Sequence, residues 1–327
     1  MGFILSVIAA TAPALIFVAI VYWFDRFEKE PLWLLAAVFI WGAVPGIAGA
    51  FIVNTFIGSL AYLVAGENVA EIFTSILVAP PVEETIKGAA LLGIMLFFRR
   101  EMDSLLDGII YGAMVGFGFA LVENVWYFMN QLAAGGLEAW LTNVVLRTLF
   151  GLNHAYFTSL TGMGLALALL HPNKLLRWSA PFIGWGAAVL AHSIHNGSAT
   201  LAGVQALFCL PAFLNTYGGV LVVLVIIGWS LIRERKWITQ YLRPEVALGT
   251  LTPAQYQLAC STWTRAQLQW KTLLGLEIGR FFQQERFYRQ CSKLAFQRRH
   301  AERLGDEAAG QAVVNLRHKV TGQSRLM

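Results

Sequence analysis

The chain has 327 residues, of which 57% are hydrophobic and only 13% charged. Water-soluble domains carry about 25% charged residues, so the composition excludes an ordinary soluble enzyme core. The net charge of +5 conceals a partition: residues 1–232 hold 8 Lys/Arg against 12 Asp/Glu, while residues 233–327 hold 16 against 7. The expected fold class is all-α: a polytopic transmembrane helical bundle over 1–232 with a small, basic, helical cytoplasmic tail over 233–327.

A helix needs about 20 apolar residues to cross a bilayer. Windows of that size predict seven spans: 3–23, 32–57, 72–98, 108–129, 144–170, 179–201 and 206–232. The first apolar run has no positive segment before it and is too long for a cleaved signal peptide, so it reads as a retained span. In the second, Gly42, Pro45, Gly46 and Gly49 predict a kink or a close helix contact. Asp107 reads as the N-cap of the fourth, and Gly112, Gly116 and Gly118 give that helix a small-residue face.

Lys and Arg occur in the connections after spans one, three, five and seven and are missing from the other four. The positive-inside rule then places the N-terminus outside and the tail in the cytoplasm, as a multi-pass protein of the cell (inner) membrane. Cys209, Cys260 and Cys291 lack CxxC or CxH spacing, which argues against a disulfide framework or a zinc signature. They read as packing residues.

Against this apolar background, Glu83 and Glu84 stand side by side within the third span, with Lys87 one turn later. Ionisable groups inside a membrane are costly, rare and usually functional. Glu123 with Asn124, Arg147, Asn153 with His154, and His192 with His195 and Asn196 lie on three further spans. At about 1.5 Å per residue, Glu83, Glu84, Glu123, His154 and His192 fall between mid-membrane and the outer leaflet.

Glu83 and Lys87 share a helix face and can pair, as can His192 and Asn196. A buried carboxylate beside a like-charged neighbour is a stronger base than in water and can take a proton from a water molecule, with Glu84 slightly favoured over Glu83. Glu123 shares the proton or tunes the pair. His154, His192 and Asn196 are candidate oxyanion donors. Lys87 and Arg147 are supporting cations, and His195, on another face, reads as structural. Glu84, Glu123, His154 and His192 could instead hold a divalent metal such as zinc, although no HExxH spacing is present. Both alternatives, no cofactor or a divalent metal, stay open here.

At these residues the sequence resembles the PrsW family of intramembrane proteases, related to the CAAX-processing endopeptidases. The matching segments are PPVEETIK (Glu83, Glu84 and Lys87 of an EExxK motif), DGIIYGAMVGFGFALVEN (Phe119 and Glu123 of an FxxxE motif), the block around His154, and AHSIHN (His192 and Asn196). Four motifs occur in order on four successive spans. The related enzymes often carry FxxxH where this chain has Glu123, so their oxyanion arrangement does not transfer directly. The resemblance implies a multi-pass protease that clips a single-span, membrane-anchored protein, such as an anti-sigma-type regulator, near its extracytoplasmic side. It leaves open whether water is activated by glutamate or by a metal.

The tail has no span-length apolar run. Its helical periodicity with interleaved Arg and Lys predicts a small helical hairpin, with the lipid bilayer the sharper partner and no nucleic acid expected. Two other function classes compete. A transporter or channel would use the same residues as a proton or cation relay, but EETIK and HSIHN have no internal repeat of the kind many transporters show. A non-catalytic scaffold would tolerate Glu84→Gln.

Overall fold

The computed structural model describes residues 1–27, 29–304 and 307–324. Among these the chain is helical throughout, without strands. It divides into two compact units, one of Met1–Phe24 with Glu30–Ile227, the other of Asp25–Lys29 with Gly228–Met327.

The first unit opens with α1 (Gly2–Phe24). α2 (Leu32–Trp41) continues through a π-turn at Gly42–Gly46 into α3 (Ile47–Ala65). Pro45 lies in that turn, and Gly42 at its start packs closely on Val115 of the later helix, the close contact that the sequence offered as one alternative. α4 (Glu67–Phe73) likewise runs through a π-turn at Thr74–Val78 into α5 (Ala79–Phe97). Then come α6 (Leu105–Leu149), α7 (Asn153–Leu170), α8 (Lys174–Ala202) and the first half of α9 (Cys209–Ala247).

Among the described residues, four stretches are long and apolar enough to cross a membrane: Gly2–Phe24, Leu32–Ala65, Leu105–Leu170 and Ala206–Ala247. α5 carries Glu83, Glu84 and Lys87, which dilute its apolarity. The helical membrane bundle stands, and the expected total of seven spans is not fixed by these four.

The start of α6 is capped by Ser104, not Asp107. Asp107 occupies the third helical position and completes a capping box, its carboxylate accepting from the Ser104 N–H at 2.6 Å. From Leu106 to Ala120 every residue of α6 is buried. A helix apolar all round belongs in the middle of a bundle, and α6 occupies that place.

Its small residues set the spacing. A Cβ on Gly108, Gly112 or Gly116 would meet the α7 backbone at 2.4, 2.6 and 2.3 Å, at Gly162, Thr158 and His154 respectively. Gly118 and Gly42 allow the same approach between α6 and α2. The helices therefore touch backbone to backbone, as small-residue membrane interfaces do.

The expected spans 108–129 and 144–170, with a loop between, need correction. α6 continues to Leu149 but breaks at Gly136, whose φ of 70° is open to glycine and costly for other residues. Phe128 packs on Trp140, and Glu123 and Asn124 meet Arg147, so the two limbs of α6 run antiparallel as a hairpin. The descending limb ends at Leu149, three residues intervene, and α7 begins at Asn153. The predicted fifth span is thus two helices with an interruption level with Glu123.

The second unit comprises the end of α9, then α10 (Pro253–Ala259), α11 (Thr262–Leu274), α12 (Ile278–Leu304) and α13 (Glu307–Ser324). It is helical as expected, with more elements than a hairpin. Ile238, Leu242, Phe287, Leu294, Phe296 and Val320 form its core with Cys260 and Cys291. Buried Glu245 accepts two hydrogen bonds from Arg317, at 2.7 and 2.8 Å. Cys209, by contrast, is exposed.

Candidate active site

The site begins with two prolines. Pro80 and Pro81 sit in the first turn of α5, where missing N–H groups are tolerated, but they leave carbonyls of the preceding π-turn without helical donors. The Asn196 amide donates to one of these, the Ser75 carbonyl, at 2.9 Å. Asn196 therefore holds the approach to α5 and is not part of the cluster below.

Immediately after the prolines, Glu83, Glu84 and Lys87 are buried together, the last two with no exposure. The Lys87 ammonium is the hub. It lies 2.8 Å from Glu84 Oε1, 3.4 Å from Glu83 Oε2 and 3.0 Å from His154 Nδ1. An ammonium has three protons, and here each has an acceptor. The same nitrogen stands 3.9 Å from the centre of the Phe119 ring, a cation–π contact.

This hub fixes the imidazoles. Lysine can only donate, so His154 Nδ1 accepts and its Nε2–H donates to Glu123 Oε2 at 2.9 Å. Glu123 also accepts from Arg147, whose Nε donates to Asn124 Oδ1. His192 Nδ1 donates to Glu84 Oε1 at 3.0 Å, and its Nε2 lies 3.8 Å from Glu83 Oε2. Phe157 stacks on the His192 ring at 4.9 Å, and the His154 ring stands edge-on to it at 5.2 Å.

The two adjacent glutamates have different surroundings. Glu84 accepts from Lys87 and His192 on one oxygen and from the Thr158 hydroxyl, at 3.1 Å, on the other. Glu83 accepts one long hydrogen bond, from Lys87 at 3.4 Å, with His192 Nε2 at 3.8 Å, and its side chain keeps 9% exposure. Glu84 is saturated and Glu83 is open.

Glu83, His154 and His192 can offer one donor atom each within 4.8 Å of one another. The sequence pointed to Glu84 and Glu123 as the carboxylate ligands. In the structure those two instead back the imidazoles, Glu84 behind His192 and Glu123 behind His154. A carboxylate behind each histidine is the usual outer support of a metal-binding imidazole.

Of the residues expected at the site, Glu83, Glu84, Lys87, Glu123, Arg147, His154 and His192 converge, while Asn196 stands one turn aside. His195 takes part in a separate link: Asn153 Nδ2 lies 2.8 Å from its Nε2, and Thr216 of α9 donates to Asn153 Oδ1 at 2.6 Å. Thr158 went unnoticed in the sequence. It lies four residues after His154, on the same face of α7, so helical spacing from His154 would have found it.

Residues 30–230 match the family described as PrsW family intramembrane metalloprotease. Similar proteins are each named Protease PrsW. That of Geobacillus kaustophilus (strain HTA426) is 30% identical over 163 residues, 47% of this chain and 62% of the relative. That of Oceanobacillus iheyensis (strain HTE831) is 30% identical over 200 residues, 59% of this chain and 82% of the relative. That of Bacillus subtilis (strain 168) is 30% identical over 125 residues, 38% of this chain and 53% of the relative. The chain thus covers less than two thirds of the first and third relatives and more of the second. No solved structure matches it. The family match takes in well over half of the chain, every charged residue of the cluster included, and the chain belongs to the PrsW family of intramembrane peptidases.

Proposed function

We propose that this protein is an intramembrane endopeptidase that cuts a single-span membrane protein near the extracytoplasmic side of the bilayer, with Glu83 as the base. An anti-sigma-type regulator is the substrate class that the family resemblance favours. The observation that carries the reading is the contrast between saturated Glu84 and open Glu83 facing His192. Membership in a peptidase family favours hydrolysis over a proton or cation relay.

In the proposed reaction Glu83 takes a proton from water as the water oxygen attacks the scissile carbonyl carbon. His192 Nε2, next to Glu83, accepts that proton and passes it to the departing amide nitrogen, so that the C–N bond breaks as N–H forms. Glu84 holds His192 Nδ1–H as a buried carboxylate holds a catalytic imidazole in hydrolytic triads. Lys87 is the cation nearest to the developing negative charge.

The donor set fits a divalent metal. Two imidazoles and a carboxylate form an open site, and three carboxylates against Lys87 and Arg147 leave one formal negative charge for a cation to balance. Glu83, His154 and His192 would hold it, as ligands in place of the base and proton-carrier roles given to Glu83 and His192 in the metal-free route, and it would polarise the scissile carbonyl and ease loss of a proton from water. His154 Nδ1 already accepts from Lys87, so a cation there competes with the ammonium.

Purified protein in liposomes, offered a panel of single-span substrates, tests the reading. Cleavage should occur in wild type and fail in Glu83→Gln. Strong chelation should abolish it if the metal is needed, and added Zn²⁺ should restore it. Cleavage by Glu83→Gln at the wild-type rate would remove Glu83 from the mechanism.

The orientation has its own test. With the N-terminus outside, Cys209 lies at the outer end of α9, exposed. Burial pushes the Cys291 thiol up to about 12 and raises that of Cys260, which makes both poor nucleophiles. A membrane-impermeant maleimide added to intact cells should label Cys209 alone. Labelling only after the cells are opened would invert the topology.

A further inference from the structure

Hydrolysis consumes water, and water must reach carboxylates placed within a bilayer. The interruption between α6 and α7 offers a place. Gly151 N–H donates to the Thr148 carbonyl at 3.1 Å, so the Arg147 carbonyl gives up the donor that a continuing helix would supply. Across from it Pro13, inside the continuous helix α1, removes the N–H that the Ala9 carbonyl would use. Irregular backbone at membrane depth is tolerated where it is buried in protein or lines a water-filled cavity.

A cavity lies between these two places. It is lined by Pro13 and Ala14 of α1, Asn124 of the ascending limb of α6, and Arg147, Thr148 and Gly151 at the break, with apolar side chains of α1 and α6 on its other side. Its volume of about 10 Å³ is the space of roughly one water molecule. Its polar wall leads to the site: Arg147 lines it and donates to Glu123, which accepts from His154, whose ring has a nitrogen within 4.8 Å of a Glu83 carboxylate oxygen.

We infer that this crevice between α1 and the α6–α7 break holds and admits the water used in hydrolysis, with Arg147 standing between it and the carboxylates. The inference rests on the peptidase reading for its purpose, but not for its detection. Arg147 is the positioned gatepost: its guanidinium satisfies Asn124 and Glu123 and stacks 4.0 Å over the Tyr127 ring, so it keeps the polar wall in place.

Hydrogen–deuterium exchange on the full chain in liposomes reads water access directly. The peptide spanning residues 150–153 should exchange far faster than the middle of α7. Ala14→Val, which fills the crevice, should slow that exchange and lower kcat, each by about tenfold, with KM for the protein substrate unchanged. Thr148→Val keeps the volume, removes a hydroxyl from the wall and should act in the same direction, so a folding defect in one variant leaves the other to decide. Leu15→Phe, on the lipid-facing side of α1, should change neither reading. Protection of residues 150–153 equal to that of mid-α7, or slowed exchange with unchanged kcat, overturns the inference. A wild type inactive toward every substrate counts against the peptidase reading instead, and the exchange contrast then decides the crevice by itself.

Discussion

Glu83→Gln should reduce cleavage by about 10²- to 10⁴-fold, the range expected for loss of a positioned base, while leaving the protein folded. Its carboxylate makes one long contact, 3.4 Å to Lys87, so the amide takes its place at little structural cost. Glu84→Gln should do something different. It would remove the charge that Lys87, His192 and Thr158 share at 2.8, 3.0 and 3.1 Å in a fully buried place. Breaking a buried pair from one side costs about 3–5 kcal/mol, so this variant should lose thermal stability along with activity. Steady-state cleavage and thermal unfolding in the same detergent separate the two. If Glu84→Gln proved inactive at unchanged stability and Glu83→Gln active, the roles would be reversed.

A comparably large effect should come from a residue with no functional group. A Cβ on Gly116 would stand 2.3 Å from the His154 carbonyl oxygen and 2.6 Å from the Ala155 nitrogen, both backbone atoms. Gly116→Val therefore has to push α7 away from α6 at the level of His154. Overpacking of this kind costs about 1–3 kcal/mol. The loss of rate should be greater than that figure suggests, because misplacing a reacting group by about 1 Å can cost 10²-fold. Gly186→Ala is the control: open space surrounds that α8 position, and replacing a helical glycine with alanine gains up to about 1 kcal/mol. If Gly116→Val kept wild-type kcat/KM, the glycine stripe would not be what sets the site.

Much of this was legible from the amino-acid pattern because charges in an apolar chain have few places to go. Glu83, Glu84, Lys87, Glu123, His154 and His192 were readable as one layer from residue spacing and loop charge alone. What spacing could not supply was the division of labour between adjacent glutamates, which depends on a hydroxyl from α7 and an imidazole from α8. Asn196 misled for a related reason. Its position one turn from His192 suggested the cluster, but the N–H groups missing at Pro80 and Pro81 created a nearer demand. The reversal at Gly136 falls within the expected connection 130–143; what the pattern hid is that both limbs stay helical up to that one residue of positive φ, and that the chain breaks again between Leu149 and Asn153.

The placement of Lys87 also bears on how such a helix enters a membrane during synthesis. α5 leaves the ribosome before α6, α7 and α8, and so before Glu123, Arg147, His154 and His192 exist to meet it. Each bare charge at the centre of an inserting helix costs about 2.5–3.5 kcal/mol. Because the lysine follows its two acids by three and four residues, it can pair with them within one turn, by contacts that need no neighbour. The segment can be handed to the bilayer early and wait there, and the later helices then find their partner already inside.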